Sequence, residues 1–195
     1  MIVGLTLLVT PMATFLLWKT VAGVFEENHI VETAQAVLLF LAVLIHVREA
    51  LLQMGQPRTF VLFHSTLALL CLSLFAREFD VDAIGTQNFW ALVETVFRVF
   101  IVLLWISLGS ILIAGRNELW QRRFILVLGK GSRFVYAGIL LYGCSWFFDK
   151  EAFALTADTA LYFEETLQLV ATLCFFFGAL FFPLVRETGM TNSSD

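Results

Sequence analysis

The chain has 195 residues, a formal net charge of −4, 59% hydrophobic residues and a mean hydropathy of +0.86. Charged residues make up only 14% of it and phenylalanine alone fills 21 positions, against about a quarter charged in an ordinary soluble domain. A water-soluble fold of this size cannot hide that much apolar surface, so the composition excludes a soluble globular domain and points to an integral membrane protein.

Lipid then restricts the secondary structure, because backbone N–H and C=O groups find no water in hydrocarbon and must pair within helices or a closed barrel. The apolar runs are long and lack the period-2 alternation of barrel strands, which favours helices. A span needs about 20 apolar residues. Six segments meet or approach that length, at 2–24, 30–52, 59–76, 89–114, 132–148 and 161–185. The first lacks the basic start and the short apolar core of a signal peptide and reads as a retained span. Pro11 in its middle is expected to kink it or loosen one turn. The fifth is short and begins at Arg133, whose long side chain can reach the headgroups. Between the fourth and fifth, "GRNELWQRRFILVLGKG" (115–131) mixes Trp120 and Phe124 with Arg122, Arg123 and Lys130 and suits an amphipathic segment lying at the interface. The predicted organisation is an all-α membrane protein: one domain over 1–187, a bundle of six transmembrane helices, followed by a polar tail over 188–195 expected to be disordered. The isolated cysteines Cys71, Cys144 and Cys174 have no ligand spacing and read as small apolar residues.

Six spans put both termini and the second and fourth loops on one side. Arg48, Arg58, Arg116, Arg122, Arg123, Lys130, Arg133 and Arg186 fall there, while Lys19, Arg77 and Lys150 fall on the other. The excess of Lys and Arg marks the cytoplasmic side. The expected location is therefore a bacterial-type inner membrane with both termini in the cytoplasm. Most of the carboxylates collect on the outer side, including Glu26, Glu27, Glu32, Glu78, Asp80, Glu94, Asp158, Glu164 and Glu165.

Three short stretches resemble one another: "VETAQAV" (31–37), "VETVFRV" (93–99) and "EETLQLV" (164–170). Each sets Glu-Thr at the outer start of an even-numbered span, and each follows an acidic loop. This pattern is what three successive helix hairpins in parallel repeat would produce. It is also what helix-start chemistry alone produces, since acids and threonines suit the first turn. For Glu27, Asp158 and Glu164 capping or solvation is the simpler account.

For Glu32, Glu94 and Glu165, polar residues continue down the same helical face. Glu165, Gln168 and Thr172 form one stripe and Glu32 and Gln35 another. Glu94 and Arg98 form an i,i+4 pair in the favourable order. Arg98 lies well inside its span and is expected to turn away from lipid, because a charge at depth costs about 2.5–3.5 kcal/mol on insertion scales. Together Glu32, Glu94, Arg98, Glu165 and Gln168 are the candidate catalytic set of an outer-leaflet site, with His29, Arg77, Glu78 and Asp80 at its mouth.

"EENHIVE" (26–32) supplies the nearest thing to metal-ligand spacing, with Glu26 and His29 at i,i+3. A divalent ion held by His29, Glu32 and Glu165 is one expectation. Oxygen ligands with one imidazole suit zinc, manganese or iron. His46 and His64 are predicted at similar depth on adjacent antiparallel helices. Haem ligation by that pair is disfavoured against a simple hydrogen bond. No phosphate-binding glycine loop, nucleophile elbow, H-E-x-x-H motif or basic aromatic groove for nucleic acid occurs in the sequence. Three uses of the outer cluster follow. One is a metal- or cation-binding site acting on a lipid or small substrate, with a carboxylate as general base. The second is a proton- or cation-coupled transporter. The third is a non-catalytic subunit that joins a partner membrane protein or a second copy, with Glu94–Arg98 and the glutamines as interhelical glue.

Overall fold

A computed structural model describes residues 2–21, 30–54, 58–78, 88–121, 129–149 and 155–182. Six long helices account for almost all of them: α1 (Ile2–Thr20), α2 (Ile30–Leu52), α3 (Arg58–Glu78), α4 (Asn88–Ala114), α5 (Lys130–Asp149) and α6 (Ala157–Phe181). A further helical stretch covers 116–121 and carries the exposed Trp120. The remainder of the predicted interfacial segment, except 129–131, and the tail lie outside the described residues. The protein is an all-α membrane protein. Five of the helices, α1, α2, α3, α4 and α6, are long and apolar enough to cross a bilayer. The fifth predicted span does form a helix, α5, but its charged ends and its Gly, Ser and Tyr content keep it below that threshold.

The helices α2, α3, α5 and α6 make the centre of the bundle. The closest packing is between α5 and α6, followed by α2 with α3 and α2 with α6. α1 rests on α6, and α4 rests on α3. The helix pairing does not support three hairpin repeats. α3 packs with α4 and α5 with α6, but α1 docks on α6, whereas α1 with α2 is not among the closely packed pairs. The reason is polar as well as apolar. Tyr162 donates its hydroxyl to the backbone oxygen of Pro11 at 3.2 Å, and Thr166 meets Thr14 hydroxyl to hydroxyl at 3.2 Å. The ring of Trp18 stacks on Tyr162 at 4.9 Å. α1 runs helical through Pro11, whose carbonyl also accepts from Thr14 Oγ1 at 3.0 Å.

Lipid tails are as apolar as leucine, so helices in a membrane associate through close van der Waals contact rather than through expulsion of water. Small residues supply that contact here. Ala42, Ala171 and Ala179 are fully buried, in a core with Leu39, Val43, Leu67, Cys71, Val135 and Phe175. Gly138 lets α5 approach α6 so closely that a Cβ there would lie 2.9 Å from the Phe175 ring and 3.1 Å from the carbonyl oxygen of Ala171. Phe175 is itself buried and cannot swing aside. Gly143, on the same helix, has nothing within 4 Å of the same position. Gly138→Val is therefore expected to cost about 1–3 kcal/mol by overpacking. Gly143→Ala is expected to be neutral or slightly stabilising. Thermal unfolding of the two purified variants in one detergent, read by size-exclusion fluorescence, checks the contrast.

Candidate functional site

Two parallel helices, α2 and α6, begin at one end of the bundle, where α3 and α5 finish. α2 starts at Ile30, which puts Glu32 in its first turn. α6 starts earlier than predicted, at Ala157, with Thr156 as its extended N-cap residue. Asp158 thus occupies the first turn, and Glu164 and Glu165 lie about 10–12 Å into the helix. Capping therefore does not account for Glu164.

The stripe predicted on α6 points into the bundle. Glu165, Gln168 and Thr172 are all buried, and so is Gln35 on α2, at 0% exposure. Gln35 donates through Nε2 to Glu165 Oε2 at 3.0 Å and more loosely to the Glu165 backbone oxygen at 3.4 Å. Its own Oε1 is buried without a hydrogen-bond partner, and so is Thr172 Oγ1 deeper on the same α6 face. Orphaned buried oxygens are uncommon, since each forfeits about 1–3 kcal/mol.

Around this pair the carboxylates gather. Glu165 lies within electrostatic reach of Glu78, Glu32 and Glu164. Glu78, buried at the end of α3, accepts a hydrogen bond from the hydroxyl of Tyr142 on α5. Glu164 accepts from Gln168 Nε2 at 2.9 Å, and Arg77 Nη2 lies 3.8 Å from the same oxygen. The Arg77 guanidinium also sits 5.3 Å from the centre of the Tyr142 ring. Glu32 and Glu78 line one part of a groove of about 290 Å³ between α2 and α3, whose other walls are mostly apolar.

The predicted residues thus divide. Glu32, Glu165 and Gln168 come together, with Glu78 and Arg77 from the predicted mouth. Glu94 and Arg98 form the expected ion pair but belong elsewhere, on α4, which packs against α3 alone among its close contacts. The Arg98 side chain is 67% exposed, which corrects the expectation that it turns inward. α4 docks through Phe97, Ile101, Leu104, Trp105 and Leu108, and that apolar face leaves Arg98 on the flank. His29 and Asp80 lie outside the described residues. Of the expected metal ligands only Glu32 and Glu165 are described, and among the described residues no group of three or more His, Cys, Asp or Glu side chains is arranged to hold a metal ion.

Two contributors escaped the sequence-based site. Gln35 was visible as part of a polar stripe but not as the donor to Glu165, because that bond spans 130 residues. Tyr142 carried only the weak signal of a lone phenol in an apolar run. At the opposite end of the bundle His46 and His64 meet, Nδ1 to Nδ1, at 3.1 Å, against the ring of Phe182. That separation is a direct hydrogen bond and leaves no room for a metalloporphyrin between the rings. No protein-family model, curated protein or solved structure matches the chain.

Tyr142→Phe removes the donor to a buried carboxylate and is expected to destabilise the protein by about 1–3 kcal/mol. Removing both partners, in Tyr142→Phe with Glu78→Leu, should recover much of that loss, because no polar atom is then left unpaired. A double-mutant cycle on unfolding in detergent measures the coupling.

Proposed function

We propose that the protein captures and releases a cation at the acidic end of its bundle, with Glu165 as the central ligand. The observation that carries this reading is the buried Gln35 carboxamide. Its nitrogen holds Glu165, while its oxygen, an acceptor, is orphaned beside a cluster of carboxylates. Acceptors gathered in a low-dielectric site repel one another and call for positive charge, a proton included. Arg77 contributes at the edge, where it faces Glu164. In the proposed roles Gln35 orients Glu165, Gln168 and Arg77 hold Glu164, and Glu32 and Glu78 form the mouth.

The reading takes α5 as a sixth crossing, which its long packing against α6 supports, and keeps the acidic end on the outer side with both termini in the cytoplasm, as the distribution of Lys and Arg favours. A second reading, in which the cation moves on through the bundle, draws on Thr172. Its orphaned hydroxyl lies two turns deeper on the face that carries Glu165.

Ligands that bind only the folded state raise its stability by RT ln(1 + [L]/Kd), about 2.7 kcal/mol at a hundredfold excess over Kd. Purified protein is to be unfolded thermally in the presence of lithium, sodium, potassium, magnesium, calcium, manganese, zinc or methylammonium chloride, at constant ionic strength. At least one is expected to raise the midpoint in the wild type and to lose that effect in Glu165→Gln. Equal midpoints across the whole panel, or a shift that Glu165→Gln leaves intact, would overturn the reading.

A further inference from the structure

The groove between α2 and α3 assigns the ligand class. We infer that it seats a single-chain amphipathic amine, with the ammonium group at Glu32 and Glu78 and the hydrocarbon chain along Ala36, Val37, Phe40 and Phe75. The inference rests on the cation reading above and names what carries the charge.

Its shape and its chemistry point the same way. The two carboxylates belong to different helices, yet both border one cavity of about 290 Å³. This is near the lower end of small-molecule sites, about 300 Å³, which suits one chain rather than the two of a bilayer phospholipid. The lining on α2 runs from Glu32 to Leu41, about 13 Å along the helix axis. Phe40 and Phe75 are in ring contact, with centres 5.8 Å apart, and together form an aromatic wall of the groove. Val37, Phe40 and Leu41 are exposed, at 52%, 46% and 40%, so the groove opens sideways, where lipid surrounds a membrane protein. An amphiphile could therefore enter from the bilayer without crossing water. The carboxylates outnumber the one described cation near them: an anionic head would meet Glu32, Glu78 and, behind them, Glu165, against Arg77 beside Glu78 and Glu164.

The test uses the full chain in phosphatidylcholine nanodiscs with a nitroxide-labelled long-chain primary alkylamine. A fatty acid of the same length and label is the control. The amine is expected to show an immobilised spectral component at least tenfold larger than the fatty acid does. Val37→Trp and, separately, Leu41→Trp fill the groove from its exposed side and should each reduce that component at least tenfold. Partitioning into the bilayer is the same for both variants, so the loss isolates the groove. Equal immobilisation of amine and fatty acid, or retention in both tryptophan variants, would overturn the inference. The methylammonium and metal-ion stabilisation described above is measured on the same variants. If it persists and still depends on Glu165 while the amine fails, the groove inference falls and the cation reading stands. If Glu165→Gln leaves the cation stabilisation intact while the amine signal is retained in both tryptophan variants, both fall.

Discussion

The hydrogen bond from Gln35 to Glu165 is the contact on which the acidic end depends. It joins two helices whose N-termini lie side by side, far apart in sequence. Parallel helices have no tight loop to hold them in register, so a specific polar contact has to do it. A buried polar group in hydrocarbon that loses its partner costs several kcal/mol. α2 and α6 therefore cannot slide by a turn without breaking this bond and exposing Glu165 to an apolar neighbour. Once they are in register, Glu32 and Glu164 fall at the same end, and α3 and α5 add Glu78 and Tyr142.

Tight apolar packing below that layer is what keeps it at one end. Leu39, Ala42, Ala171 and Phe175 fill the centre, and Gly138 draws α5 onto α6 at a distance no side chain would permit. The histidine pair lies beyond this core, with Glu49 also buried on the same helix. Two polar layers separated by an apolar one suit a bilayer, because most of the polar groups find partners within their own layer. It also explains why the small residues are concentrated between α5 and α6, where the closest contact is made.

Much of this was legible in the sequence, and what was not has physical reasons. The all-helical membrane character followed from the lengths of the apolar runs, and Glu165, Gln168 and Thr172 were readable as one face because helical periodicity is local. The partner of that face was not readable, because which helix meets which is decided by packing between segments up to 152 residues apart. α1 is an instance: Trp18, Thr14 and Pro11 look like neutral span residues until Tyr162 and Thr166 are set against them. Arg98 misled for a related reason. The cost of a charge in lipid suggested an inward orientation, but Glu94 one turn away and a long flexible stem give it a partner on the flank. The start of α6 was misjudged by four residues, since Ala157–Ala160 carry too little apolar character to show as part of a span.

The two ends of the bundle also differ in what they can do with a captured charge. Beneath Thr172 the bundle core is closed by fully buried alkyl and aromatic side chains, and an unpaired charge driven into such a layer is costly by any scale. A cation held at Glu165, as proposed, would therefore leave by the way it came, or along the side groove bordered by Glu32 and Glu78. Onward passage toward the histidine pair would require α5 and α6 to separate, against the closest packing in the molecule. On the proposed reading, this packing would favour exchange between the acidic end and the surrounding lipid over through-flow, which would suit the membrane-borne amine inferred above.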